Sequence, residues 1–175
     1  MILSAAVCQE QAYDPKVYLE WNEYNPLEWT DFKTTNSEAF GDAGTHVRIM
    51  ARPYLVKRKV YYNVYALFDK KRSWSNEQGD KLLAHEQLHF DIAELYARKI
   101  RKSIELLARK GEKELKIYND VVNSLMTESN EFDQQYDLET LHGTLYNRQL
   151  EWEAKIKTAL AGLNHYKSGH YKPEY

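Results

Sequence analysis

The chain divides by the spacing of its apolar positions into an early part with a period of two and a later part with a period of three to four. Leu27-Glu28-Trp29-Thr30-Asp31-Phe32-Lys33 alternates and predicts a short strand. Residues 46–56 predict a second, with Val47, Ile49 and Ala51 on one face and Arg48, Met50 and Arg52 on the other; Pro53 confines it to an edge or an end. Lys57 to Lys59 marks a charged reversal, and residues 60–69, opening Val60-Tyr61-Tyr62, form the strongest strand pattern in the chain. Residues 13–28, punctuated by Pro15 and Pro26, and 34–44, with Asn36, Gly41 and Gly44, read as irregular or loop.

Beyond residue 75 the period changes. Leu82, Ile92, Tyr96, Ile100, Ile104 and Leu107 recur at helical spacing, predicting a long helix capped by Ser75 or Asn76, with Glu77 in its first turn, and stopped by Gly111. Leu115, Tyr118, Val122 and Leu125 predict a second helix over 112–132. A third is expected from Tyr136 or Asp137 to Leu160, with Leu138, His142, Leu145, Gln149, Trp152, Ile156 and Leu160 inward. Strands first and helices afterwards define an α+β class: a small antiparallel sheet followed by three helices, the first helix held between the sheet and the helical layer. A chain of 175 residues is enough for one core. The expected division is a single domain over 13–163, a signal-like or disordered segment over 1–12, and an irregular tail over 164–175.

Composition narrows the chemistry. A net charge of -2 gives no concentrated basic face for nucleic acid. No stretch is apolar for long enough to span a membrane. The lone cysteine, Cys8, excludes an internal disulfide framework and a cysteine-ligated zinc, so any metal must be held by histidines and carboxylates. Met1 to Cys8 reads as the end of a secretory signal peptide without its charged start, with cleavage candidates after Ala6 or Cys8. A secreted or periplasmic protein is therefore expected, with the cytoplasm as the alternative. Fourteen tyrosines fit ordinary packing.

The sharpest motif is His85-Glu86-Gln87-Leu88-His89, inside the first predicted helix. Residues four apart lie nearly above one another on a helix, so His85 and His89 can offer two imidazole nitrogens to one ion. Glu86 lies about 100° round the helix, within reach of a water in an open coordination position. Zinc so held acidifies its water and polarises a carbonyl, the chemistry of amide hydrolysis, with Glu86 as general base. A third ligand must come from elsewhere. His142 ranks first, a polar residue on an apolar stripe; Glu139, three residues earlier, is the alternative, as ligand or as a carboxylate orienting an imidazole. His165 and His170 lie in the tail, a poor platform, and His46 on the outward face of a strand. Asp91 is expected on the surface, Gln149 and Trp152 as packing or supporting groups, and Tyr136 and Tyr146 as candidate oxyanion donors.

Leu82-Leu83-Ala84-His85-Glu86-Gln87-Leu88-His89-Phe90-Asp91, followed by Tyr136-Asp137-Leu138-Glu139-Thr140-Leu141-His142-Gly143 and then Gln149 and Trp152, resembles a bacterial family of predicted secreted zinc-dependent proteases catalogued as a domain of unknown function. Leu27 to Lys33 and Ser73-Trp74 are similar to its pattern as well, so the resemblance extends over about residues 25–161. It implies a zincin-like hydrolase with one zinc ion, His85, His89 and His142 as ligands, Glu86 as base, and a peptide or protein as substrate. Two other readings of the residues stand beside it: a non-catalytic, zinc-stabilised binding protein, and a zinc amidase acting on a non-protein amide.

Overall fold

The computed structural model describes residues 13–36, 38, 41–56 and 59–167. In order, the chain forms β1 (Tyr18–Glu20), β2 (Ala43–Gly44), β3 (Val47–Val56), β4 (Lys59–Asp69), β5 (Trp74–Ser75), α1 (Asp80–Arg109), α2 (Leu115–Thr140) and α3 (Tyr146–Gly162). The class is α+β, as the periodicities require. β4 is central in a three-stranded sheet ordered β1-β4-β3, and β2 and β5 form a small second sheet. β3 and β4 pair antiparallel from Val47↔Phe68 to Val56↔Lys59. That register puts Val47, Ile49 and Ala51 opposite Phe68, Ala66 and Val64, all turned onto the core. With Pro53 on it, β3 is an edge strand.

α1 is the axis of the molecule. Its 30 residues extend about 45 Å, and sixteen of them are buried. One side packs on the sheet and the others on α2 and α3. Burial on every side imports charges as well as apolar groups. Glu94 receives Arg98 Nε at 2.8 Å and Arg101 Nη1 at 3.1 Å. Arg98 also donates to the carbonyl of Leu160 at 2.7 Å, and Arg101 to those of Val64 at 2.7 Å and Tyr166 at 2.8 Å. One buried carboxylate thus organises two guanidinium groups that tie α1 to β4 and to the end of α3, which satisfies charges that would otherwise be costly to bury.

Several expected boundaries move, each for a local reason. The run from Leu27 to Lys33 is not a strand: Trp29–Asp31 makes a single 3-10 turn, closed by the Asp31 carboxylate accepting from Glu28 N at 3.0 Å, while Leu27 and Phe32 at its ends are buried. Ser75, expected to cap α1, belongs to β5, and the helix begins at Asp80 behind Gly79 without a side-chain cap. Gly111, at φ +78°, follows the end of α1 as expected. The largest change lies between α2 and α3. α2 continues to Thr140, and the break falls at 141–145, where Leu141 (φ 48°), His142 (φ 52°) and Gly143 (φ 79°) are all left-handed. Leu138 and Leu145, assigned to an inward stripe, are 71% and 42% exposed, whereas Gln149, Trp152, Ile156 and Leu160 are buried as expected. Asp91 is not a free surface group: it accepts Trp21 Nε1 and Gln87 Nε2, each at 2.7 Å, pinning residues 21–27 over α1. The signal-like segment over 1–12 and His170 lie outside the described residues.

Candidate metal centre

His85 and His89 lie one turn apart on α1, both buried. Facing them on α2 are Asp133 and Asp137, also one turn apart, so two i,i+4 pairs meet across the helix interface. His85 Nε2 and His89 Nε2 are 3.3 Å apart, and Asp137 Oδ1 is 3.2 Å from each. A tetrahedral shell with bonds of about 2.0 to 2.1 Å separates its donors by about 3.3 Å. The near-equilateral triangle therefore has the dimensions of three ligands around one small divalent ion.

Proton positions lead to the same conclusion. His89 Nδ1 is 2.7 Å from Asp133 Oδ1, a carboxylate that can only accept, so the proton sits on Nδ1. His85 Nδ1 is 2.6 Å from Tyr136 Oη, whose own hydrogen goes to Gln149 Oε1 at 2.7 Å. Both rings then direct an Nε2 lone pair at a carboxylate oxygen. Despite its short contacts, Asp137 Oδ1 is buried with no hydrogen-bond partner. Three acceptor atoms converging without a hydrogen between them could be satisfied by a shared cation. Without one, a proton must serve. Burial alone would lower the pKa of His89, but the carboxylates of Asp133 and Asp137 outweigh it and push it up to about 10. Burial would likewise raise Asp137, yet the two imidazoles hold it well below the usual carboxylate range.

The triangle opens into a cavity of about 370 Å³, walled on one side by residues 41–45 and on the other by α1 and the end of α2. Among the described residues, three buried side-chain oxygens or nitrogens lack a hydrogen-bond partner: Asp137 Oδ1, Glu86 Oε2 and Thr45 Oγ1. All three residues line this cavity. Unsatisfied buried polar atoms are rare in folded proteins, and here all three belong to residues of one cleft. A groove of about 260 Å³ continues past His89 and Asp133, between Val47 to Ile49 of β3 and Ile92, Met126 and Asn130 of the helices.

His85, Glu86 and His89 come together at the cavity. His142 is at its mouth, with Nδ1 3.4 Å from Asp137 Oδ1 and a side chain 69% exposed; it is not one of the three atoms that could hold an ion together. Glu139 is committed elsewhere, to Gln135 (2.7 Å), Arg148 (2.8 Å) and Trp152 Nε1 (3.0 Å). Tyr136 is fully buried behind His85 and holds its ring, so it does not face the cavity as an oxyanion donor. Tyr146 is half exposed, with the Lys81 ammonium 4.5 Å above its ring. His46 and His165 are exposed. Gly143 presses its backbone on the His85 ring: a Cβ there would lie 2.8 Å from His85 Cγ. Asp133 and Asp137 were missed by sequence reasoning. The two share a face only because α2 runs unbroken to Thr140, and their facing His85 and His89 depends on how α2 crosses α1.

Fold and site together define a small α+β protein in which two histidines and an aspartate that could hold one metal ion converge in a cleft. The profile of a family described as "Bacterial protein of unknown function (DUF922)" matches residues 65–143, which include His85, Glu86, His89, Asp133, Asp137, His142 and Gly143. No curated protein and no solved structure matches the chain. No described helix is long and apolar enough to cross a membrane.

Proposed function

We propose that the protein is a single-zinc hydrolase of amide bonds, with a peptide or protein as substrate. The observation that carries this reading is the triangle of His85, His89 and Asp137, which has the dimensions of a zinc site and opens into a cleft also lined by Glu86 and Thr45, whose buried Oε2 and Oγ1 have no hydrogen-bond partner. His85, His89 and Asp137 would hold the ion. When bound, zinc would supply an acidified water and a polarised carbonyl. Glu86, its Oε2 free of any other partner, takes the proton of the attacking water and delivers it to the leaving nitrogen. Thr45 Oγ1 on the opposite wall is available to a substrate carbonyl, and His142 at the mouth can donate to the oxyanion that develops there.

A polypeptide substrate is favoured by the sheet. The outer edge of β3 carries no strand among the described residues, and its first residues, Val47 to Ile49, line the groove leading to His89. An extended chain added along that edge gains main-chain hydrogen bonds and passes the metal centre. A purely structural zinc site closes all four positions with protein ligands. Here three donors face an open cavity that a carboxylate shares, which supports catalysis over a zinc-stabilised binding protein.

Glu86→Gln tests the assignment. The variant should bind zinc with the parent's affinity while cleavage of a peptide library falls by about 10²- to 10⁴-fold. Undiminished cleavage would remove Glu86 from the mechanism. Turnover of non-peptide amides with no cleavage of any peptide would move the substrate to the amidase class.

A further inference from the structure

His85 has a second face, turned away from the cavity, and a chain of hydrogen bonds leaves it. Nδ1 meets Tyr136 Oη at 2.6 Å, Tyr136 Oη meets Gln149 Oε1 at 2.7 Å, and Gln149 Nε2 meets Glu153 Oε1 at 3.0 Å. His85, Tyr136 and Gln149 are each no more than 3% exposed, so no solvent relieves a misdirected hydrogen. Glu153, one turn beyond Gln149 on α3, is partly buried and borders a separate cavity of about 550 Å³ that shares no lining residue with the metal cleft.

The direction of every hydrogen in this chain follows from its far end. A carboxylate only accepts, so Glu153 requires the Gln149 amide to present its NH2; the reverse orientation would set two acceptors 3.0 Å apart. Gln149 Oε1 is thereby turned to Tyr136, whose single hydrogen must go to it. Tyr136 Oη then has only a lone pair for His85, so Nδ1 carries the proton and Nε2 is left bare at the triangle. We propose that Glu153 is a positioning residue for the metal centre: acting through Gln149 and Tyr136, it selects the Nδ1–H tautomer of His85, the one that can bind a metal. The consequence for metal affinity rests on the zinc reading; the tautomer itself does not. Groups that hold ligand histidines from behind commonly change metal affinity by about 10- to 100-fold when removed.

The test exchanges the two ends of the last link. In E153Q the new amide can donate, so Gln149 is free to turn over; the Tyr136 hydrogen, released from Gln149, then divides between His85 Nδ1 at 2.6 Å and the His85 carbonyl at 3.2 Å, and wherever it goes to Nδ1 the imidazole proton moves to Nε2. In Q149E/E153Q the carboxylate sits one link closer, accepts from both Tyr136 and the new amide at position 153, and restores the original polarity with volume and charge conserved. Imidazole nitrogen shifts of the metal-free proteins, read above the ordinary histidine titration range, report the tautomer; a zinc competition titration reports affinity. Expected are Nδ1–H in the parent, a substantial Nε2–H population and about tenfold or more weaker zinc in E153Q, and recovery of both in the exchange variant. An unchanged tautomer and affinity in E153Q, or no recovery in a folded exchange variant, would overturn the proposal. A parent that binds no zinc but shows the expected tautomers would refute the zinc reading and leave the chain of hydrogen bonds supported.

Discussion

At the scale of single residues, a zinc ion bound as proposed would compete with a proton for the same nitrogen. His89 titrates at about 10 in the metal-free protein because two carboxylates outweigh the cost of burial. Zinc loading at neutral pH should therefore release one proton, and affinity should rise about tenfold per pH unit below 10, which calorimetry in buffers of different ionisation enthalpy can measure. The same raised pKa stabilises the metal-free fold. That contribution is complete below the ordinary histidine value of 6.5 and is lost as pH rises through about 10. Asp133→Asn should leave His89 without its carboxylate partner and weaken zinc about tenfold in the same titration, since the amide can hold the ring in either tautomer. His85, Glu86 and His89 were legible in the sequence because helical spacing alone brings them to one turn. Asp137 was not: its role depends on where α2 crosses α1, and no local pattern encodes a contact 48 to 52 residues away.

At the scale of elements, the α2–α3 turn is the least expected part of the fold and the one closest to the chemistry. Periodicity treated residues 136–160 as one helix, because Leu138, His142, Leu145 and Gln149 keep a three-to-four spacing across the break. Three successive left-handed residues interrupt it, and two of them, Leu141 and His142, lack the freedom of glycine. His142 N reaches back to the Asp137 carbonyl at 3.0 Å, closing the end of α2. The turn thus lifts His142 to the mouth of the cavity and sets Gly143 against the His85 ring. Gly143→Ala should cost about 1–2 kcal/mol in backbone strain. Its new methyl would also displace His85, so zinc binding should weaken far more than a loss of stability alone explains. Thermal unfolding compared with zinc titration separates the two effects. The long strands were readable for the opposite reason: Val47, Ile49 and Ala51 alternate with Arg48, Met50 and Arg52 on β3, β4 is rich in Val, Tyr and Phe, and the two pair with each other, so local pattern and tertiary contact agree.

Across the whole molecule, α1 joins the stability of the fold to the geometry of the site. Its first turns carry His85 and His89 and its middle carries Glu94, whose carboxylate is fully buried between Arg98 and Arg101. Glu94→Gln should destabilise the protein by about 3–5 kcal/mol, because two guanidinium groups lose their buried counter-charge. Denaturant unfolding measures that loss directly. The small two-residue strands β2 and β5 could not be foreseen, since runs so short have no period, yet β2 supplies one wall of the cleft. If His85, His89 and Asp137 hold one zinc ion without help from His142, a competition titration of zinc into the parent, D137A and H142A will separate the three proteins. Expected are one tightly bound ion per parent chain, a loss of affinity of several orders of magnitude in D137A, and near-parental affinity in H142A. A parent that binds no zinc, or a D137A variant that binds as tightly as the parent, would contradict that assignment.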